Sequence, residues 1–331
     1  NIPESVFEPM SVRTVLRITP SGGNTCSPRF LNPPIQNACL GQPWIHNPGA
    51  FDSDGDSLSY SREVCLGRDR TGDGRSDPIE GYRFPDEVAP GPNNNYSIDP
   101  VTGTITWDSP QQLGIYNIAF RVTEWRRIAS GAWVETGYVI RDMQVIVVPC
   151  MNEPPVLAEL HDTCVVAGTL LNIPVQASDP NDGQTITLGA MGAPFEVSAP
   201  ATFNTSPAQN TAFGTFSWNV QCSHVRQQPY QVVFRAEDNY GLVHLHDYTT
   251  VNIGVVAPAP QDPTATPNGS NMELSWTPSI CTEASGYRIY RRQGLYGFVP
   301  DHCELDVPAY TGYQFVGRTT GHGNAQWTNQ S

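Results

Sequence analysis

Gly103-Thr104-Ile105-Thr106-Trp107 and Gly214-Thr215-Phe216-Ser217-Trp218 are one phrase written twice in the same chain. A little further along each time, Tyr116-Asn117-Ile118-Ala119-Phe120-Arg121-Val122 answers to Tyr230-Gln231-Val232-Val233-Phe234-Arg235-Ala236. Both phrases alternate, which sets one face of an extended strand in a core and the other in water. Working outward, Asn32-Pro33-Pro34-Ile35 opens one block and Glu153-Pro154-Pro155-Val156 a second. Each opening is followed by a cysteine (Cys39, Cys164) and then by a turn: Ala50-Phe51-Asp52-Ser53-Asp54-Gly55-Asp56, against Ala177-Ser178-Asp179-Pro180-Asn181-Asp182-Gly183. Each block closes on an alternating strand, Arg141 to Val148 and Thr249 to Val256. A repeat of this length marks tandem modules. Seven or so strands in about a hundred residues is the immunoglobulin-like pattern. The fold class is all-β: tandem immunoglobulin-like β-sandwich domains. Trp107 and Trp218 are expected between the sheets; stacking on a sugar is the competing use of such side chains.

The composition agrees. Of 331 residues, 30 are Pro and 29 Gly, 15% are charged and 39% hydrophobic, which suits several small cores joined by many turns. The net charge is −14 and all 18 basic residues are arginine. Such a surface repels phosphate backbones, so nucleic acid is not expected as a partner; it suits calcium, whose ligands are carboxylates and carbonyls. No apolar run is long enough to span a membrane, so no membrane insertion is expected. No signal peptide opens the chain, and Asn1 reads as the start of a processed or excised piece.

The eight cysteines carry no Cys-x-x-Cys pair and read as disulfides formed in an oxidising compartment. Antiparallel neighbours in a sandwich suggest Cys39–Cys65, then Cys164–Cys222, with Cys281–Cys303 in the last block. Cys26 and Cys150 fall in linkers and stay unassigned.

Four segments follow. Residues 1–26 read as the closing strand of a preceding domain plus a linker, with its strand over Ser11 to Thr19. Residues 27–150 and 151–257 are the two repeats. After the joint Ala257-Pro258-Ala259-Pro260-Gln261-Asp262-Pro263, residues 258–331 carry Met272-Glu273-Leu274-Ser275-Trp276 and Gly286-Tyr287-Arg288-Ile289-Tyr290-Arg291-Arg292. This last segment resembles strands B and C of a fibronectin type III domain, with the final strands not recognisable. Either the parent chain continues, or the N-terminal strand of one subunit completes the last domain of its neighbour, head to tail.

The resemblance widens when the motifs are taken together. Asn32-Pro33-Pro34, Cys39-Leu40-Gly41-Gln42-Pro43-Trp44, the stretch from Asp52 to Tyr60, Ile98-Asp99-Pro100-Val101-Thr102-Gly103-Thr104 and Gly114-Ile115-Tyr116 look like a module of Bacteroidetes surface proteins. These are gliding-motility-associated chains with cadherin-like and PKD-like domains. The resemblance implies export by the type nine secretion system and a place at the cell surface; that family's C-terminal sorting domain is not seen in this sequence.

One motif carries metal chemistry. Asp69-Arg70-Thr71-Gly72-Asp73-Gly74-Arg75-Ser76-Asp77-Pro78-Ile79-Glu80 places oxygens at positions 1, 3, 5, 7, 9 and 12 of a calcium loop, with Gly at position 6. Asp69, Thr71, Asp73 and Asp77 would offer side chains, Arg75 its carbonyl and Glu80 both carboxylate oxygens. Arg70 and Arg75 dilute the charge, and a solvated acidic turn is the plainer alternative. Asp52, Asp54 and Asp56 form a second, weaker candidate, because Asp and Gly also simply make turns. The Asp179 to Asp182 stretch reads as a turn only.

Catalytic motifs are not found: no His-Glu-x-x-His, no Gly-x-Ser-x-Gly and no phosphate-binding glycine loop. His244 and His246 share a strand face but lack a third ligand. Trp125-Arg126-Arg127 and Trp133 could form a binding edge, or simply cover a sheet. The expectation is a non-enzymatic, adhesive or structural surface protein, calcium-stabilised, with assembly into filaments or a part in motility as further options. Its partners would be neighbouring domains or subunits, or a surface glycan or protein. The alternative is a carbohydrate-binding accessory region of a secreted glycan-degrading enzyme.

Overall fold

The computed structural model describes residues 1–2, 8–9, 11–17, 26–33, 37–128, 130–241, 243–299, 301, 303–304 and 306–329. It is all-β, built from stacked sheets with only short helical turns. Among the described residues no helix is long and apolar enough to cross a membrane.

The first sandwich is organised by one long hairpin, Gly114–Arg127 with Trp133–Val148. Ser57–Glu63 pairs with its first arm. The facing sheet holds Trp44–His46, Ile105–Trp107 and Tyr96–Ile98. Tyr116, Ile118, Phe120 and Val122, two residues apart on one arm, meet Trp44, Ile105 and Trp107 of the opposite sheet in the core. The same arm also buries its other face, because Leu66 and Ile79, from the excursion that follows Ser57–Glu63, fold back over Ala119 and Ile140. A strand covered on both sides loses its clean alternation.

The second arm is 16 residues long, and two separate strands share its free edge. Asn37–Cys39 runs parallel to Ile146–Val148, and Arg13–Leu16 runs antiparallel to residues 137–140. The N-terminal strand, expected to close a preceding domain, thus belongs to the first sandwich. Arg17 extends the contact, its N–H donating to the Thr136 carbonyl at 2.8 Å and its side chain pairing with Glu135 at 2.9 Å. An alternating segment needs a free edge, and the first half of this long arm supplies one in the same chain. The expected strand residues Ile18 and Thr19, and Pro34 and Ile35 of the first opening phrase, lie outside the described residues.

The second sandwich repeats the plan. Val156–Leu157, Leu170–Ser178, Thr211–Asn219 and Thr202–Thr205 face Thr163–Val166, His246–Val256, Tyr230–Glu237, Thr185–Gly192 and Ala208–Gln209. Thr163–Val166 runs parallel to the last residues of His246–Val256, as Asn37–Cys39 does in the first. The duplicated phrases become duplicated contacts. Trp107 meets Tyr116 edge-on at 4.8 Å and 70°, and Trp218 meets Tyr230 at 4.9 Å and 70°. Both tryptophans are buried between sheets, not displayed to a sugar.

The last block holds Gln261–Asn268, Asn271–Thr277 and Gln326–Asn329 in one sheet, and Arg288–Arg291 with Gln314–Arg318 in another. Trp276 and Tyr287 make the same edge contact a third time, at 5.1 Å and 68°.

The three disulfides correct the expected pairings. Cys39 bonds Cys150, because parallel pairing sets Cys39 beside Val148, two residues short of Cys150; the Cα atoms are 5.5 Å apart. Cys65, the expected partner, is a buried free thiol on the outer face of the sheet, with its Sγ 3.4 Å from Asp142 Oδ1. Cys164–Cys303 and Cys222–Cys281, with Cα separations of 5.9 and 5.0 Å, both tie the second sandwich to the last block. Cys26 is free and exposed.

The two sandwiches also bury a joint. Phe51 and Leu31 of the first pack into the core of the second. At its polar centre, Asn32 Nδ2 donates to the Asn47 carbonyl at 2.7 Å and to Tyr248 Oη at 3.0 Å. His46 sits beside them, fully buried, edge-on to Tyr248 at 6.4 Å. Burial first, then Arg141, hold its ring down to about 3, so it is neutral.

Candidate functional site

The acidic turn at Asp52, Asp54 and Asp56 is bound to an arginine. Arg126, on the first arm of the long hairpin, donates Nε to Asp56 Oδ1 at 2.7 Å and Nη2 to Asp56 Oδ2 at 2.8 Å. Its guanidinium also lies 3.7 Å from Asp54. Thr136 adds a hydroxyl to Asp56 at 3.1 Å, and Asp52 Oδ1 accepts the Asp56 N–H at 2.8 Å. Asp56 thus holds a guanidinium in bidentate fashion, with Asp54 close beside it.

Glu124 completes the cluster. It is fully buried beside Asp52, and a Cβ on Gly137 across the hairpin would lie 2.6 Å from its Oε2, so only glycine lets the two arms close over it. Burial first, then Asp52, raise its carboxyl far above the ordinary range. The sequence held the signal. Tyr116, Ile118, Phe120 and Val122 face inward, and Glu124 is the next position in that register.

The Asp69 to Glu80 loop is ordered by its own amides. Asp69 accepts the Gly72 and Gly74 N–H groups at 2.6 and 2.8 Å, and Asp77 those of Arg70 and Thr71 at 2.7 and 2.9 Å. The Arg70 amide is the main cause that holds Asp77 below its usual range. Asp73 accepts the Arg75 N–H at 2.9 Å. Glu80, the expected bidentate ligand, points out with its side chain 92% exposed and 3.4 Å from Arg70. Among the described residues, three carboxylate, imidazole or thiol ligands come within 4.8 Å of one another only at Cys222, Cys281 and Glu283, whose two sulfurs are bonded together. The loop has the oxygens of a calcium site without the convergence; to hold the ion it must draw Glu80 inward.

His244 and His246 are brought together by a carboxylate. Glu237 Oε1 lies 2.9 Å from His244 Nδ1 and Oε2 lies 3.5 Å from His246 Nε2, with Arg235 at 3.2 Å. These contacts, His246 first, hold Glu237 down to about 2. Trp125 lies against the sheet with Nε1 2.8 Å from Ser59 Oγ, while Trp133 is 50% exposed at the hairpin tip.

No family model matches the chain, and no curated protein does. Among solved structures it is similar to the sialic acid binding region of a Streptococcus sanguinis SK1 adhesin, at 12% identity and a TM-score of 0.26, over 76% of this chain and 93% of that one. It is similar to zebrafish RET cadherin-like domains 1 to 4, at 12% identity and 0.22, over 81% and 60%. An ICAM-5 D1–D4 ectodomain fragment gives 12% and 0.25, over 94% and 68%. At these scores the likeness carries no argument about function.

Proposed function

We propose that the chain is part of an extracellular, non-enzymatic adhesive protein, whose β-sandwich modules hold a binding surface away from the cell. One observation supports this reading most. The blocks are fixed to one another, by a buried joint between the first two and by two disulfides between the second and the last. Disulfides belong to oxidising compartments, and fixed joints suit a protein that transmits force or position. The motif resemblance adds a Bacteroidetes cell surface, type nine export and a part in gliding motility.

Calcium belongs to the proposal at the Asp69 to Glu80 loop, on the strength of its oxygen spacing. Chelator is then expected to lower the melting temperature of the first sandwich, and Glu80→Gln to remove that response, because an ion bound only to the folded state stabilises it by mass action. An unchanged melting curve ends the calcium part. Beads coated with residues 1–331 test the adhesive part. Retention on cells or surface polysaccharide above that of inert-protein beads supports it, and no retention, or hydrolysis of the polysaccharide, overturns it.

A further inference from the structure

A cleft of about 290 Å³ opens where the two sandwiches meet, between the acidic turn of the first and the residues that follow Cys222 in the second. We infer that this cleft is a binding site for one neutral, hydroxyl-bearing sugar ring of a surface glycan. The inference rests on the adhesive reading above in one respect only, that the chain holds a ligand at all.

The volume is near the lower end of small-molecule sites, about 300 Å³, which suits a single ring. Phe51, Val101 and Pro229 give the cleft apolar surface, as the C–H face of a sugar needs. The polar groups supply both halves of a hydroxyl's bonding. Arg226 is fixed by its Nε on the Gln228 carbonyl at 2.9 Å, by its Nη2 on the Pro229 carbonyl at 3.2 Å, and by the Tyr230 ring 3.5 Å beneath it. Its Nη1 has no hydrogen-bond partner among the described residues. Gln231 spends its Nε2 on the Val101 carbonyl at 3.3 Å, and Asn252 spends its Nδ2 on Asp162 at 3.1 Å. The amide oxygens of both stay open as acceptors among the described residues. A hydroxyl both donates and accepts, so it can bridge a guanidinium and an amide oxygen.

Charge selects the class. Asp52, Asp56 and Asp162 line the cleft against one arginine, on a chain of net charge −14, so an anionic sugar is repelled. A free cation meets Arg226, with Asp56 already bound to Arg126. A neutral polyol answers both. Ligand held here would touch both sandwiches at once, so the rigid joint is also what keeps the site in shape.

The test is a glycan array carrying neutral, sulfated and sialylated oligosaccharides, probed with residues 1–331, with Arg226→Met and with Val101→Trp. Val101 is 62% exposed at the cleft, so a larger ring there can fill it without disturbing either core, which covers the case that Arg226→Met folds poorly. Selective binding of neutral glycans is expected, weaker by about tenfold or more in both variants, the loss of a hydrogen bond to a charged donor or of the space itself. Binding that survives Val101→Trp, or that prefers sialylated glycans, overturns the cleft. No glycan binding while coated beads still adhere overturns the cleft and leaves the adhesive reading standing. Failure of both assays ends both.

Discussion

The second sandwich and the last block contain the same contact and hold it by different means. Trp218 lies edge-on to Tyr230 inside a closed core, with Phe216, Phe234, Ile186 and Val251 around it, all fully buried. Trp276 meets Tyr287 at nearly the same distance and angle, yet Ile289 and Cys281 are the buried apolar side chains of that block among the described residues. Tyr310 and Phe315 are 74% and 55% exposed there. What the last block lacks in core it receives as cross-links, two disulfides and the burial of Cys281 in the core of its neighbour. A shared strand motif therefore says which residues meet, and says little about what keeps them together.

The sharpest way to break this comparison is to remove each tryptophan in turn. Trp218→Ala is expected to cost about 3–5 kcal/mol, the range for large-to-small changes in a closed core. Trp276→Ala should cost about half as much, since part of that ring already faces water. Urea unfolding of the two variants measures both. Equal losses would mean that the last block has a core as complete as its neighbour's.

Next in size are the cross-links. Replacing both members of Cys222–Cys281 by Ser should lower the stability of the last block by about 2–4 kcal/mol, through the freedom returned to the unfolded chain. The second sandwich, whose sheets pair without that bond, should change little. Limited proteolysis with mass mapping shows which region opens. First cuts inside residues 156–256 would reverse the assignment of dependence.

The sequence made the sandwiches legible because a strand's period is written in adjacent residues. Trp107 with Tyr116 and Trp218 with Tyr230 were readable as core positions for that reason. The disulfides were not readable. Cys222 and Cys164 find their partners across a module boundary, and no local period records which faces of two modules meet. The same limit applied to Arg13–Leu16, whose alternation announced a strand but not the edge it would join. At the acidic turn the carboxylates were legible and the arginine that binds them was not, since Arg126 is seventy positions from Asp56 and arrives only through hairpin pairing. Glu124 could have been found from register alone.

The joint between the first two sandwiches gives a smaller test of close packing against cross-linking. Gly49 has φ +56°, and a Cβ there would lie 2.8 Å from Met191 Sδ of the other sandwich. Gly49→Ala is expected to cost about 1–3 kcal/mol from strain and displaced packing, and to loosen the joint without unfolding either module. Broader small-angle scattering with unchanged circular dichroism would show this; an unaltered melting curve and profile would mean that the joint yields freely.

The smallest expected effects distinguish the first two sandwiches from each other, through carboxyl groups shifted in opposite directions. Asp142 of the first is lifted by burial to about 6, so the stability tied to its protonated form is complete below its unfolded value near 3.9 and is lost as pH rises through 6. Glu237 of the second is held down to about 2, chiefly by His246, so its contribution is present above its unfolded value near 4.3 and is lost as pH falls toward 2. Asp142→Asn, which keeps an oxygen for the Cys65 thiol, should raise the melting temperature of the first sandwich by a few degrees at pH 7 and make no difference at pH 3.5. Glu237→Gln should lower that of the second at pH 6 and make little difference at pH 2. His46 pulls the first sandwich the other way, since a ring held down to about 3 loses its contribution as pH falls below its unfolded value near 6.5. The difference between variant and parent at each pH therefore carries the test, measured by calorimetry across that range. If both differences grow in the same direction with pH, the two modules bury their acids alike and the contrast drawn between Asp142 and Glu237 is wrong.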